Sequence, residues 1–381
     1  MVELVKTVGV RIARAPIDWV MFGAAVLLVV FGLVTMYSFV GDNSYFEKQV
    51  VWLVLSAVVF FVVGSFDWSF LKRTRVLITL YIALAALLGF LLVAVRAING
   101  AQSWLHFGPL SFQPTDIAKV LLVLMLAKYF SRRHIEIANI RHIIVSGVYT
   151  LIIAFLIGLQ PDFGGAAIAI VVWIGMVFVS GISKRHLLIL FLCALAVFGA
   201  LWNFGFKQYQ KDRILNFIHP LSDVRDTGYN AYQSTIAVGS GEILGKGIGY
   251  GTQSKLKFLP EYQTDFIFAA FAEEWGFVGV VIIFFTFAIF IFRIVANARR
   301  GVTNFEILYG LGVAMLFMGH FFINIGMNMG MLPVTGITLP FVSYGGSHLL
   351  TSFFALGIIQ SQRTSMRAVH KEETRKEFLG I

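Results

Sequence analysis

Apolar runs of membrane-crossing length recur from one end of this chain to the other, and nothing else in it constrains the fold as tightly. A hydrocarbon core of about 30 Å needs roughly 20 apolar residues in helical form. Ten such stretches can be read, over residues 17–40, 50–66, 76–95, 115–129, 143–159, 164–181, 186–203, 264–295, 305–326 and 348–360. Inside lipid every backbone amide and carbonyl must find a partner within the protein, and at these lengths helices meet that demand where barrel strands do not. The expected fold is an all-α polytopic membrane protein of about ten transmembrane helices, a single integral membrane domain over residues 1–381. Composition agrees: 58% of the residues are hydrophobic and 13% charged, against about 25% charged in a soluble domain.

The net charge of +10 is unevenly placed. Basic residues cluster at Lys6/Arg11/Arg14, Lys72/Arg73/Arg75, Lys128/Arg132/Arg133, Lys184/Arg185, Arg299/Arg300 and from Arg363 to Lys376. They follow every second span, as the positive-inside rule requires of cytoplasmic loops. An even number of spans then puts both basic termini in the cytoplasm, with the chain in the bacterial cytoplasmic (inner) membrane. Clusters of this kind point to cytoplasmic-leaflet lipids and not to nucleic acid. Cys193, the single cysteine, lies within a span and forms no internal disulfide. No small-residue cleavage site follows the first apolar run, so no removable signal peptide is expected.

The outward turns at 41–49, 160–164 and 327–347 hold one basic residue, Lys48. The segment 204–263 is different: it is a large extracytoplasmic loop between the seventh and eighth spans, with Lys207, Lys211, Arg213, Arg225, Lys246, Lys255 and Lys257. Long loops escape the charge rule. Tyr229, Tyr232, Ile236, Phe258 and Leu259 within it argue against disorder. Where this loop enters the eighth span stands Asp265, an ionisable carboxylate at the edge of the hydrocarbon layer and hence a functional-site candidate.

Other constellations admit two readings each. The glycine-dense stretch 239–251 is no P-loop, because Lys246 is followed by Gly247 and not by Ser or Thr. It reads either as successive tight turns or as backbone brought close to a phosphorylated or sugar ligand, with Lys246, Lys255 and Lys257 at hand. In Gln113-Pro114-Thr115-Asp116, proline and a capping residue open a helix. Lys119, three residues after Asp116, shares its face, as a structural ion pair or as a substrate-facing cation. Gln160-Pro161-Asp162 followed by Gly164-Gly165 reads as a turn. His320, Asn324 and Asn328 form a stripe suited to interhelical hydrogen bonds, and Glu273-Glu274 suits polar packing. No HExxH, CxxC or Ser-His-Asp pattern is present, so a metal site built from protein ligands alone is not indicated.

These motifs resemble the SEDS family (shape, elongation, division and sporulation), the RodA/FtsW/SpoVE proteins. The resemblance covers nearly the whole chain and is most specific from Asn324 through Gly330, Pro333, Gly336 and Pro340 to Ser343-Tyr344-Gly345-Gly346-Ser347. Segments 113–119, 160–165 and 209–214, and the run from Gly251-Thr252-Gln253 through Asp265 to Glu274, match as well. Tyr229-Asn230-Ala231-Tyr232-Gln233-Ser234 resembles the RodA, or elongation, branch more than the division branch. Asp116 stands where the family usually has glutamate, Thr338 where proline is common, and His348 where a small residue is expected.

The resemblance implies an inverting peptidoglycan glycosyltransferase that polymerises lipid II into glycan strands on the outer face of the membrane during cell elongation. Asp265 takes the position of the family's essential aspartate, as general base for an acceptor 4-hydroxyl; partial burial would raise its pKa and strengthen it as a base. Lys119, Arg213 and Lys246 are candidate cations for the leaving diphosphate, with a divalent ion (Mg or Mn) as an alternative. Asp116, Gln253, Glu261, Thr264, Ser343 and Ser347 complete the candidate substrate-binding set. Implied partners are lipid II, a class B penicillin-binding protein (the transpeptidase) and other membrane proteins of the elongation complex. Two competing readings are a lipid II flippase or transporter and a non-catalytic scaffold for the transpeptidase.

Overall fold

The computed structural model describes residues 17–39, 44–94, 105–107, 110–132, 140–181, 183–219, 228–256 and 258–379. The cluster Lys6/Arg11/Arg14 and the residues Arg133, Arg225 and Lys257 lie outside them. All ten expected spans are helices: α1 (Trp19–Tyr37), α2 (Ser44–Ser65), α3 (Thr74–Ala94), α4 (Pro114–Ser131), α5 (Ile140–Leu159), α6 (Phe163–Val179) and α7 (Lys184–Ala200) come first. Three short helices follow, α8 (Gln208–Ile218), α9 (Tyr229–Ser240) and α10 (Thr252–Lys255). The last three spans are α11 (Ile267–Arg299), α12 (Asn304–Asn328) and α13 (Gly346–Leu379). Seven of the described helices are long and apolar enough to cross a membrane. The other three spans are α6, apolar but 17 residues long, and α4 and α13, which carry polar groups that neighbouring helices shield.

The starts follow local chemistry. Asp18 caps α1 through Met21 N–H, Asp162 caps α6 through Gly165 N–H, Ser183 caps α7, Thr303 caps α12, and Pro114 opens α4. A two-stranded antiparallel hairpin, β1 (Leu105–Phe107) and β2 (Leu110–Phe112), pairs Leu105 with Phe112 and leads directly into α4. The sequence carried no clear signal for so short a hairpin. At the centre stand α4 and α12. Fourteen of the 18 residues of α4 are buried, Asp116 and Lys119 among them, as befits a mostly apolar helix surrounded by others. α12 packs on α4, α6 and α11, while α13 packs on α2 and α1 on α11.

The eighth span departs from expectation. It begins at Ile267 and not at 264, and it is broken at Gly276 (φ 64°, ψ −166°). The glycine-dense stretch supplies the partners that the break removes. Lys246 and Gly247 N–H groups donate to the Glu273 and Glu274 carbonyls (both 3.0 Å), and Phe277 and Val278 N–H groups donate to the Glu242 and Ile243 carbonyls. Irregular backbone at membrane depth survives only when protein re-satisfies it in this way. Only glycine permits so close an approach. A Cβ on Gly245 (φ +80°) would lie 2.1 Å from the Glu274 carbonyl oxygen, and one on Gly241 would lie 2.0 Å from that of Ala272. The glycines therefore serve tight backbone packing against α11.

Candidate active site

Asp265 sits in the turn just before α11, outside the spanning helix, and two asparagines fix its backbone. Asn324 and Asn328 of α12 both donate through Nδ2 to the Asp265 carbonyl, at 2.9 and 3.0 Å. Asn324 also donates to the Ile337 carbonyl (2.6 Å), and Asn328 Oδ1 accepts from Ala269 N–H at the head of α11. The polar stripe is thus an interhelical clasp, as its spacing suggested. The loop between α12 and α13 closes the other side. Ser343 Oγ donates to the Thr264 carbonyl (2.6 Å) and accepts from Leu339 N–H, while Tyr344 N–H donates to the Gln263 carbonyl. Two non-glycine residues with positive φ, Glu261 (48°) and Phe341 (68°), flank this arrangement. Strained backbone of that kind persists where the surroundings over-determine it.

The side chain is left partly exposed among charges. Burial pushes the Asp265 carboxyl up to about 7; Glu261 adds to the rise, Arg213 of α8 opposes it, and Asp162 adds further. Arg213 is therefore the described cation within electrostatic reach. Glu261 is exposed, and its carboxylate accepts from Thr264 Oγ1.

Asp162 connects this carboxyl to a buried cluster in the bundle. Gln113 Nε2 lies 3.4 Å from its Oδ2, and Lys119 acts on it electrostatically. Lys119 Nζ is 2.9 Å from Asp116 Oδ1, with both side chains buried, and 3.5 Å from His320 Nε2. His348 Nδ1 is 3.5 Å from the same Asp116 oxygen, and its ring lies tilted against that of His320, centroids 4.7 Å apart. Asp116 Oδ2 and His348 Nε2 are buried with no hydrogen-bond partner. Segments 113–119, 160–165, 261–265 and 320–348, scattered in sequence, thus meet at one end of the bundle.

Other candidate residues are engaged in the scaffold. Lys246 Nζ pairs with Glu273 Oε1 at 2.7 Å, the carboxylate that also accepts from the Thr252 and Gln253 N–H groups. Its charge is committed to the seam between the glycine-dense stretch and α11. Gln253 belongs to the same seam. Ser347 Oγ accepts from Gln113 N–H (2.9 Å) and ties the start of α13 to the start of α4. Sequence reasoning read Asp162 as turn chemistry and missed its place between Asp265 and Lys119. Its capping position before Gly164-Gly165 explains it locally, and only the fold reveals the rest.

A family model described as "Cell cycle protein", covering FtsW, RodA and SpoVE, matches residues 17–368. This chain belongs to the SEDS family. Among SEDS relatives, peptidoglycan glycosyltransferase MrdB of Escherichia coli K12 is 38% identical over 285 residues, 74% of this chain and 77% of that one. The probable peptidoglycan glycosyltransferase FtsW of Nitrosococcus halophilus is 34% identical over 362 residues, 92% and 89% of the two chains. A solved chain described under "structural coordination of polymerization and crosslinking by a peptidoglycan synthase complex" superposes with a TM-score of 0.79 at 32% identity, covering 93% of this chain and 99% of that one. The crystal structure of Thermus thermophilus RodA gives a TM-score of 0.68 at 31% identity, covering 91% and 97%.

Proposed function

We propose that this chain is a peptidoglycan glycosyltransferase that polymerises lipid II, with Asp265 as general base and a role in cell elongation. The observation that carries the reading is a carboxyl that burial pushes up to about 7, on a backbone clamped by Asn324, Asn328 and the loop before α13, in a chain whose relatives bear that activity in their names. In the reaction, an acceptor sugar hydroxyl attacks the anomeric carbon of the donor. The new C–O bond forms as the C–O bond to phosphate breaks, the diphosphate departs with the electron pair, and the hydroxyl proton passes to Asp265. A base whose pKa lies near the working pH combines adequate ionisation with adequate proton affinity. One carboxylate and one displacement mean inversion at the anomeric carbon.

Arg213, exposed on α8 and acting electrostatically on Asp265, is the cation best placed to meet the diphosphate, with Lys119 acting through Asp162. Lys246 contributes by holding the α11 break. Among the described residues no three His, Cys, Asp or Glu side chains converge on a metal position. A magnesium or manganese ion here would draw on phosphate and water oxygens plus Asp265 or Glu261, since magnesium favours one or two carboxylates with substrate phosphates. It would supply charge neutralisation at the leaving group.

We place the protein in the bacterial cytoplasmic membrane, with Asp265 outward and both termini in the cytoplasm, on the strength of its basic clusters. Its working partner is a class B penicillin-binding protein, a reading supported by a structural neighbour that belongs to a complex coordinating polymerization with crosslinking. One observation favours a transporter: the buried Asp116–Lys119 pair with its two histidines is the kind of intramembrane charge that transport pathways use. Incubating the purified protein with lipid II separates the two, because a polymerase yields glycan polymer without a membrane to cross. Accumulation of translocated, unpolymerised lipid II as the sole outcome would overturn the proposal.

A further inference from the structure

The stretch between α9 and α10 reads in the sequence as part of an extracytoplasmic loop, yet the structure carries it down to the membrane. Two pins between α1 and α11 give the depth scale. Asp18 accepts from Arg293 at one end, and Ser38 Oγ donates to Glu274 Oε1 at the other. Along either helix the pins stand about 30 Å apart, the thickness of a hydrocarbon core. No charged residue occurs between them, over 19–37 or over 275–292. On the Asp265 side the hydrocarbon layer therefore ends at the level of Glu274. Ile267 stands about 10 Å above that level, which holds the Asp265 turn clear of the acyl chains.

Residues 242–247 dock at the same level. Phe277 and Val278 N–H groups donate to the Glu242 and Ile243 carbonyls at 2.9 and 3.1 Å. Glu242 takes a positive φ of 47° there, backbone that the seam over-determines. The apolar side chains of the stretch face away from the protein. Leu244 is 80% and Ile243 67% exposed, and Ile248 and Tyr250 are exposed as well. Phe277 and Val278, joined to them by those hydrogen bonds, are exposed on α11. The patch thus continues the lipid-facing surface of a spanning helix, and apolar patches of this kind mark interaction surfaces. Its rim suits a headgroup layer: Lys255 Nζ lies 5.9 Å from the centre of the Tyr250 ring. Tyrosine is enriched at membrane–water interfaces, and lysine lays its stem on apolar surface while its charge stays in water.

We propose that residues 243–250 form an interfacial anchor. Ile243, Leu244, Ile248 and Tyr250 insert among the glycerol groups and upper acyl chains of the leaflet on the Asp265 side. Depth and continuity with α11 select lipid as the occupant, because lipid is what surrounds a spanning helix at that level. Tied to the break at Gly276, the anchor fixes the height of the Asp265 turn over the bilayer, where a substrate held by its own lipid must meet it. That consequence rests on the glycosyltransferase reading; the insertion does not.

The test uses the full chain in phosphatidylcholine nanodiscs, on a Cys193→Ser background, with one environment-sensitive fluorophore on Leu244→Cys. Nitroxide lipids carry the quencher either near the glycerol end of the acyl chain or near its terminus, and iodide samples the water. The label should emit to the blue of its position in water and be quenched more by the shallow nitroxide than by the deep one or by iodide. Two further sites calibrate the scale. Phe285→Cys, exposed on α11 about 16 Å beyond Glu274, should favour the deep nitroxide. Pro260→Cys, exposed in the turn before α11, should favour iodide. A thermal melt checks the fold of each variant, and Ile248→Cys is a second reporter if Leu244→Cys fails to fold. A reporter that behaves like Pro260→Cys would overturn the proposal and leave the patch in water, open to a protein partner. One that behaves like Phe285→Cys would overturn the interfacial placement. Depth is read without substrate, so the anchor and the polymerase reading stand or fall separately.

Discussion

At the scale of single residues, the Asp265 carboxyl ties activity and stability to pH with opposite signs. Acting as a base, it must be ionised, so polymerisation should rise through a midpoint near its pKa of about 7. A pH–rate profile flat from about pH 5 to 8 would count against that role. For stability, the folded pKa lies above the unfolded value of 3.8. The folded state therefore holds the proton more tightly, and the stabilisation is complete below the unfolded pKa and lost as pH rises through the folded one. Asp265→Asn cannot titrate, so its melting temperature should gain on wild type as pH rises from about 5 to 8, even as activity disappears. Lys119 makes a different prediction. Lys119→Ala strands the buried Asp116 charge and should cost about 3–5 kcal/mol, while Asp116→Leu/Lys119→Met should recover most of that stability. Denaturation of the three proteins in detergent reads both effects, and activity in the double variant would show the pair to be structural.

Among the elements, the break in α11 shows where sequence reasoning ends. Ten helices were legible because a membrane-length apolar run has no other way to satisfy its backbone. Asp265 was legible because a carboxylate at that boundary is costly. Gly276 was not, since its missing helical bonds are replaced by residues 242–247, some thirty positions earlier, and hydropathy carries no trace of that exchange. The same long-range pairing hid the role of Lys246, whose partner Glu273 is 27 residues away. Gly245→Ala tests this seam. Its positive φ alone costs an alanine about 1–3 kcal/mol, and the Cβ would meet the Glu274 carbonyl oxygen at 2.1 Å. The variant should melt lower than wild type and become sensitive to proteolysis between α9 and α11; an unchanged melt would mean that the stretch does not support the helix.

Across the whole molecule, α1 and α11 run antiparallel and are pinned at both ends. Ser38 Oγ donates to Glu274 Oε1 (2.6 Å) near the site. At the far end Asp18 accepts hydrogen bonds from Arg293 (2.7 Å) and Asn297 (2.8 Å), forms an ion pair with Arg363 (3.1 Å), and so joins α1, α11 and α13. Burial by itself would raise the Asp18 carboxyl; Arg293, Asn297 and the Met21 N–H overcome it and hold it below the ordinary value. Its stabilisation is therefore present above the unfolded pKa and lost as pH falls through the folded one. Asp18→Ala should destabilise by about 3 kcal/mol, because two arginines lose their counter-charge, and a melt of the purified variant at neutral pH measures it. These pins hold a frame in which the Asp265 turn is clamped from α12 and from the loop before α13. The most direct test of what that frame is for is incubation of purified protein with lipid II, followed by electrophoresis of the products. Wild type should produce glycan polymer and well-folded Asp265→Asn none; polymer of normal length and yield from Asp265→Asn would contradict the account.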